Sequence, residues 1–384
     1  MDVEPRRPRG RQEPSAPSQT GAEVPEPKPR RSRRKPAGPR AQPGAVAKPL
    51  LPLVSVILPV RNEEGYIGRC IQALAAQDYP RDRYEVLLLD GGSSDGTRRE
   101  AELAASAAGL PVAVQTNPRR TTATGFNLGL AAAKGEIIIK VDGHTRVEPE
   151  FISVNVKTLQ ESGADAVGGP IRTLGAGSVG RAIALAMSSP FGVGGAAFRH
   201  SLEEQWTDTV PFGAYRREVF ERIGGFAEDI DRGEDDEFNY RLVDSGGRIL
   251  LTPAIRSDYY ARGTFAALWR QYWGYGLAKA SVLGRHPRRL RPRHLVPSVF
   301  VLSLGGGALL GALDRRFLRL AGLAATAYAA ANALATLRIG RGGHAAEAPY
   351  LPAAFATIHV AAGAGFLAGM TRGLLRRIRN APWA

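Results

Sequence analysis

From Val54 to Asp142 the chain alternates short runs of consecutive apolar residues with stretches of helical period, and this alternation narrows the fold more than any other feature. Val54–Val60, Tyr84–Asp90, Val112–Val114 and Glu136–Asp142 read as strands. The stretches from about Glu63 to Ala76, Arg98 to Ala108 and Thr124 to Lys134 read as helices. Strands that are apolar on both faces must be covered on both faces. The expected structure is therefore an α/β fold, a parallel sheet with helices on both faces. Ligands of such sheets gather at the C-terminal strand ends, where Asp90 and Asp142 both stand. Beyond Asp142 the pattern loosens. Phe151–Ser162, Val219–Ile223 and Glu234–Ser245 read as helices and Ala166–Gly169 as a strand, while residues 172–205 show no clear period.

The two ends differ from this middle. Residues 1–50 carry 12 Lys/Arg and 5 acids in a Pro-rich setting with almost no aliphatic clusters, which predicts a disordered tail. It has no apolar core of the kind a secretory signal needs. Its run Arg30-Arg31-Ser32-Arg33-Arg34-Lys35 can bind acidic lipid or stay solvated. Residues 285–384 carry 14 Arg and 2 acids, so the net charge of +15 sits at the ends and the span 51–284 is mildly acidic. That distribution suits an anionic membrane surface, and no nucleic-acid partner is expected. Leu295–Leu313, Leu320–Leu337 and Ala348–Thr371 are uncharged runs of 19, 18 and 24 residues bracketed by arginines. Each is long enough to cross about 30 Å of hydrocarbon, and a soluble bundle of Ala-rich helices is the alternative. The expected division is a tail over 1–50, an α/β domain over 51–276, a basic juxtamembrane segment over 277–294, and a membrane region of two or three helices over 295–384. The lone Cys70 excludes an internal disulfide and a multi-cysteine zinc site, and it reads as a core residue.

Three acidic features can carry chemistry. Asp90-Gly91-Gly92-Ser93-Ser94-Asp95-Gly96-Thr97 sets a carboxylate at a strand end before a glycine turn, where it can face a nucleotide base or ribose; Asp95 reads equally as a helix cap. Asp142-Gly143-His144 follows an apolar strand, and its carboxylate and imidazole can converge on one divalent ion or form a plain polar turn. Glu234-Asp235-Asp236-Glu237 opens a helix. The macrodipole accounts for some of these acids, and like charges this close also raise one another's pKa, as suits a general base. No Walker loop, no G-x-G-x-x-G after the first strand and no G-x-S-x-G elbow is present.

In this order and on this strand pattern, the motifs resemble the family 2 glycosyltransferases, inverting enzymes with the GT-A fold. The resembling segment runs from about Val54 to Gly276. Val56-Ile57-Leu58-Pro59-Val60-Arg61-Asn62-Glu63 is similar to the family's opening strand, and the Asp90 segment to its D-D-G-S-x-D-x-T element, with Gly91 at the second Asp. Gly125-Phe126-Asn127-Leu128-Gly129 is similar to its A-x-N-x-G helix. Asp142-Gly143-His144 stands where the family has D-x-D. Pro211 to Arg217 and Ile223-Gly224-Gly225-Phe226 resemble its acceptor-side segment, and Glu234-Asp235 its E-D motif. Arg270-Gln271-Tyr272-Trp273 lies where processive members carry Q-x-x-R-W but in another order, which counts against a processive polysaccharide synthase. The whole is most similar to the succinoglycan-biosynthesis glucosyltransferase subgroup.

The resemblance implies a membrane-anchored hexosyltransferase. Pro59, Arg61, Glu63, Asp90, Asn127 and Asp142 would bind a nucleotide sugar, and Asp142 with His144 would hold Mg²⁺ or Mn²⁺. Asp235 would be the catalytic base. Gly213, Tyr215, Glu234 and Trp273 would lie on the acceptor side. The implied partners are a nucleotide-sugar donor, a lipid-linked saccharide acceptor and membrane lipids. The implied location is the cell membrane, multi-pass, with the catalytic domain in the cytoplasm. A non-enzymatic membrane or nucleic-acid binder driven by the basic ends is the rival of another class.

Overall fold

The computed structural model describes residues 51–230 and 232–379, apart from the side chains of Arg376 and Arg377. The expected tail over 1–50 and the last residues, 380–384, lie outside the described residues.

The first half-sheet follows the alternation closely. β1 (Val54–Val60), α1 (Ile67–Ala75), β2 (Tyr84–Asp90), α2 (Thr97–Ala108), β3 (Val112–Thr116), α3 (Thr122–Ala132) and β4 (Ile137–Lys140) succeed one another. All seven residues of β1 are buried, as a strand covered on both faces requires. The core face of α1 is Ile67, Cys70, Ile71 and Leu74, at i, i+3, i+4 and i+7, so Cys70 is the expected core residue. β1 pairs in parallel with β2 and β4, and this register sets Val60 beside Asp90 and Ile57 beside Lys140.

The second half is built of shorter pieces: β5 (Thr145–Val147), α4 (Phe151–Ser162), β6 (Ala166–Gly168), β7 (Ile171–Leu174), α5 (Gly177–Met187), α6 (Pro190–Val193), β8 (Gln205–Thr207), β9 (Ala214–Arg216), α7 (Arg217–Ile223), α8 (Glu234–Asp244), β10 (Ile249–Leu251) and β11 (Ser257–Tyr260). The main sheet has the order β3-β2-β1-β4-β9-β6-β10-β8. It is mixed, because β9 runs antiparallel to both β4 and β6, and β8 antiparallel to β10. A small second sheet, β5-β11-β7, is pinned by Asp258 of its middle strand. That buried carboxylate accepts from Arg146 Nε at 2.9 Å and Arg172 Nε at 2.6 Å, one guanidinium from each flanking strand. The expected unpatterned stretch 172–205 thus contains an edge strand and two helices.

Four long helices complete the chain: α9 (Phe265–Arg285), α10 (Pro292–Leu310), α11 (Arg315–Arg341) and α12 (Leu351–Arg379). α9 runs unbroken across the expected boundary at residue 276. It lies against α12 through small residues: a Cβ at Gly276 would strike the Ala362 carbonyl, and one at Gly365 would strike the Trp273 carbonyl. Leu351, Ala354, Phe355, Ile358 and Ala361 of α12 belong to the same core as β1 and α1. α10, α11 and the segment Ala348–Leu375 are long and apolar enough to cross a membrane.

Candidate active site

A cleft of about 1390 Å³ opens over the C-terminal ends of β1 and β4 and runs between α8, α9 and the start of α10. Its floor begins with Pro59 and Val60, then Arg61 and Glu63 of the turn after β1. This turn is tied to the next one along the sheet. Asn62, in the left-handed region (φ 56°), accepts the Ser94 N–H at 2.9 Å, and the Glu63 N–H donates to Thr97 Oγ1 at 2.7 Å. Thr97 donates in turn to Asp95 Oδ1, both from N–H (3.1 Å) and from Oγ1 (2.5 Å). The N-cap of α2 is Gly96, and Asp95 one place earlier holds the first helical residue, Thr97. Asp90 accepts at Oδ1 from Ser93 N–H (3.1 Å) and Oγ (2.6 Å), and it stands behind the cleft wall as the support of that turn.

Past β4 the chain turns through Asp142-Gly143-His144. A Cβ at Gly143 would come within 3.0 Å of the Glu63 side chain, so the glycine lets Glu63 lie across the turn. There Glu63 Oε1 meets His144 Nδ1 at 3.0 Å. Burial works against a charged imidazole, but Glu63 and Asp142 outweigh it and hold the His144 pKa above its ordinary value.

The centre of the cleft is a cation that the motif reading passes over. Lys140, buried at the end of β4, sets Nζ 3.1 Å from Asp142 Oδ1, 2.9 Å from Asp235 Oδ2 and 3.6 Å from Glu234 Oε1. Burial alone would neutralise it; the three carboxylates keep its pKa well above the ordinary lysine value. Asp142 goes the other way. Burial would raise it, and Lys140 and His144 bring it below the usual carboxylate range. Asp235 follows Gly233, whose φ of +83° turns the chain into α8. Burial first, then Glu234 and Asp142, push Asp235 up to about 7 against the pull of Lys140. Its Oδ2 is held by Lys140, and its buried Oδ1 has no partner among the described residues.

Pro59, Arg61, Glu63, Asp142, His144, Glu234 and Asp235 thus meet in one cleft. Asn127 is drawn elsewhere: its side chain brackets Phe226, accepting its N–H at 2.8 Å and donating to its carbonyl at 2.9 Å. Tyr215 is buried with its hydroxyl on Asn239 Oδ1 at 3.0 Å, and the Gly213 carbonyl accepts the Lys140 N–H at 3.2 Å. Both back the Lys140 strand and do not line the cleft. Trp273 packs toward α12, and the cleft face of α9 carries Tyr272 and Tyr275 in its place. Arg120 and Arg262, which carry no motif, also line the cleft.

The comparisons with known proteins bear on this site. Residues 55–224 match the profile of Glycosyl transferase family 2. The succinoglycan biosynthesis protein ExoA of Rhizobium meliloti is 30% identical over 261 residues, 67% of this chain and 78% of that protein. A dolichyl N-acetyl-alpha-D-glucosaminyl phosphate 3-beta-D-2,3-diacetamido-2,3-dideoxy-beta-D-glucuronosyltransferase of Methanococcus voltae is 31% identical over 237 residues, 60% of this chain and 74% of that protein. The chain belongs to glycosyltransferase family 2. The mannosyltransferase PcManGT from Pyrobaculum calidifontis, solved in complex with GDP-Man and Mn²⁺, shares the fold of this family 2 glycosyltransferase. The two superpose with a TM-score of 0.54 over 85% of this chain and 88% of that one, at 24% identity.

The GT-A fold raises the question of a divalent ion. Among the described residues no three His, Cys, Asp or Glu side chains form a ready cage. A hard cation that shares its shell with substrate phosphates needs only one or two protein ligands. The Glu63–His144 contact is the kind of carboxylate partner that orients a ligating imidazole, leaving Nε2 for the ion. Asp142 and His144 therefore fit Mg²⁺ or Mn²⁺.

Proposed function

We propose that this family 2 glycosyltransferase is an inverting hexosyltransferase. It moves a sugar from a nucleotide donor, UDP-linked, to a lipid-linked or polysaccharide acceptor in cell-surface or exopolysaccharide synthesis. The observation that carries this reading is the pair of oxygens on Asp235. One, Oδ2, is held by the buried Lys140 on a side chain that lines the cleft and is 32% exposed; the other, Oδ1, is buried without a partner among the described residues. A carboxylate that lines the cleft with its pKa near 7 can take a proton from an acceptor hydroxyl. As the hydroxyl oxygen bonds to the anomeric carbon, the bond to the diphosphate breaks and the Asp235 carboxylate takes the proton. One displacement inverts the centre and needs no covalent nucleophile.

Pro59, Arg61 and Arg120 are the cleft residues suited to the nucleotide, the two guanidiniums to its diphosphate. Asp142 with His144 would hold Mg²⁺ or Mn²⁺, which when bound supplies neutralisation of charge on the leaving diphosphate. Lys140 keeps Asp235 and Asp142 from repelling one another and orients both. The acceptor class is supported by the two relatives, one a transferase onto a dolichyl-phosphate sugar and one a succinoglycan biosynthesis protein. The catalytic domain would face the cytoplasm, where nucleotide sugars are made, and the apolar helices would anchor it in the membrane.

A donor screen tests the proposal: purified full-length chain in detergent, candidate nucleotide sugars, and a membrane lipid extract as acceptor. Nucleotide release that depends on extract, with an inverted anomeric centre in the product by NMR, is expected. Retention of configuration would reject the mechanism, and release from no donor would reject the activity.

A further inference from the structure

Past Asp235 the cleft continues along one face of α9, where Ala267, Gln271, Tyr275 and Ala278 recur at helical spacing, to the elbow at which α9 gives way to α10. Val296 and Pro297 of α10 and Ile358 and Ala362 of α12 give the same cleft an apolar stretch of wall. α10 is long and apolar enough to cross a membrane, and its Val296 and Val299 are 64% and 60% exposed. The one cleft therefore holds a general base and an apolar wall that continues into a helix of membrane-crossing length.

Arg232, Lys279 and Arg293 line the same cleft. Two glycines make room for the guanidiniums: a Cβ at Gly274 would lie 2.7 Å from an Arg232 nitrogen, and one at Gly195 would lie 2.8 Å from an Arg293 nitrogen. Two carboxylates share the elbow. Asp236 accepts from Lys279 Nζ at 2.5 Å, and Asp208 stands 3.9 Å from Arg293. Among the described residues, Arg232 has no carboxylate within salt-bridge distance, so the three cations are not matched one for one. A second observation points to a ligand in the same cleft. One end of the buried Gln271 amide spans Tyr259 Oη at 2.6 Å and Tyr275 Oη at 2.9 Å, while its other end has no partner among the described residues. A buried amide atom left so is suited to a sugar hydroxyl.

We infer that Arg232, Lys279 and Arg293 form a binding site for the phosphate or diphosphate of a lipid-linked saccharide acceptor. Its hydrocarbon leaves over Val296, Pro297, Ile358 and Ala362, and its sugar reaches back toward Gln271 and Asp235. The inference rests on the glycosyltransferase reading of the cleft and narrows the acceptor to a lipid phosphate. Guanidinium forks match phosphate geometry with paired hydrogen bonds, and a sugar, an anion and a hydrocarbon joined in one ligand call for the base, the cations and the apolar wall that line this one cleft.

The test is direct binding, by calorimetry on the full chain in detergent, of three probes: farnesyl phosphate, farnesol and inorganic phosphate. Farnesyl phosphate should bind at least tenfold more tightly than either of the others. The R232Q/R293Q double variant should lose at least tenfold of that affinity, and R232K/R293K should recover part of it. Cooperative thermal unfolding checks that each variant is folded; should the double variant not fold, R293Q alone must show a loss of about tenfold. Unchanged affinity in the folded glutamine variant would overturn the site. Inorganic phosphate binding as tightly as farnesyl phosphate would overturn the lipid assignment, and farnesol binding as tightly would overturn the anion. None of these readouts needs turnover, so failure of every donor in a transfer assay would reject the enzymatic reading and leave the binding result standing.

Discussion

At the scale of single residues, the site is a balance of one ammonium against three carboxylates. Asp235→Asn keeps the shape of the base and removes its proton acceptor, so turnover should fall about 10²–10⁴-fold with donor affinity little changed. Steady-state kinetics with nucleotide binding measured separately checks both halves. The sign of the pH dependence follows from the raised pKa. Asp235 is ionised, and so able to accept a proton, only above about 7. The rate of the free enzyme should therefore drop about tenfold per unit as pH falls below that value. A flat profile between pH 5.5 and 7 would remove Asp235 from the role. Lys140→Met should do different damage. It leaves Asp142, Glu234 and Asp235 facing one another without their cation, a change of the kind that costs about 3–5 kcal/mol and would lower the denaturant midpoint. Lys140 also marks the limit of reading motifs. The E-D and D-G-H pairs advertise themselves as short polar patterns, whereas the lysine sits inside an apolar strand. Its charge has a meaning only once β4 and α8 are brought side by side. Asn127 fails for the opposite reason. It stands in a recognisable motif, yet its amide is spent on the Phe226 backbone.

At the scale of elements, legibility follows length. β1, β2 and β4 with α1, α2 and α3 carry enough consecutive signal to be read directly, and they bring Pro59, Arg61, Glu63 and Asp142 to one edge. The sheet β5-β11-β7 is made of strands of 3 and 4 residues, too short to show a period, and its cohesion comes from Asp258 between two arginines. The α9–α12 seam was equally hidden, because glycines read as breakers in one dimension become contact points in three. Gly276 and Gly365 let the helices approach until backbone meets backbone. Valine at either should force them apart at a cost of about 1–3 kcal/mol, seen as a lower melting temperature in detergent. Gly284→Ala, on the same α9 but with open space around the added carbon, is the control and should not lower it.

At the scale of the whole molecule, the three apolar helices are not equivalent, and the difference decides how the chain meets the bilayer. The hydrophobic windows of α10 and α11 are each 11% buried within the protein, while that of the last helix is 44% buried. Leu351, Phe355 and Ile358 of α12 share a core with the strands of the sheet. Further along, Gly365 lies on α9, a helix that also carries Arg270, Lys279 and Arg285. A helix fastened along its length to a charged, water-facing element cannot also stand in hydrocarbon along its length. The expected arrangement is a hairpin in which α10 would cross and α11 return, with α12 lying against the catalytic domain on the side where it started. Arginine counts agree. Two crossings keep Arg288, Arg289, Arg291 and Arg293 before α10, Arg338 and Arg341 at the end of α11, and Arg372 and Arg379 of α12 on one side. Three crossings would send those of α12 to the other, against the positive-inside tendency. Only the turn at Asp314, Arg315 and Arg316 would then be outside. Reporter fusions after Leu313, Ala345 and Ala384 should accordingly read outside, inside and inside. An outside signal at Ala384 with an inside one at Ala345 would mean that α12 crosses after all, and its place in the core of the catalytic domain would have to be given up.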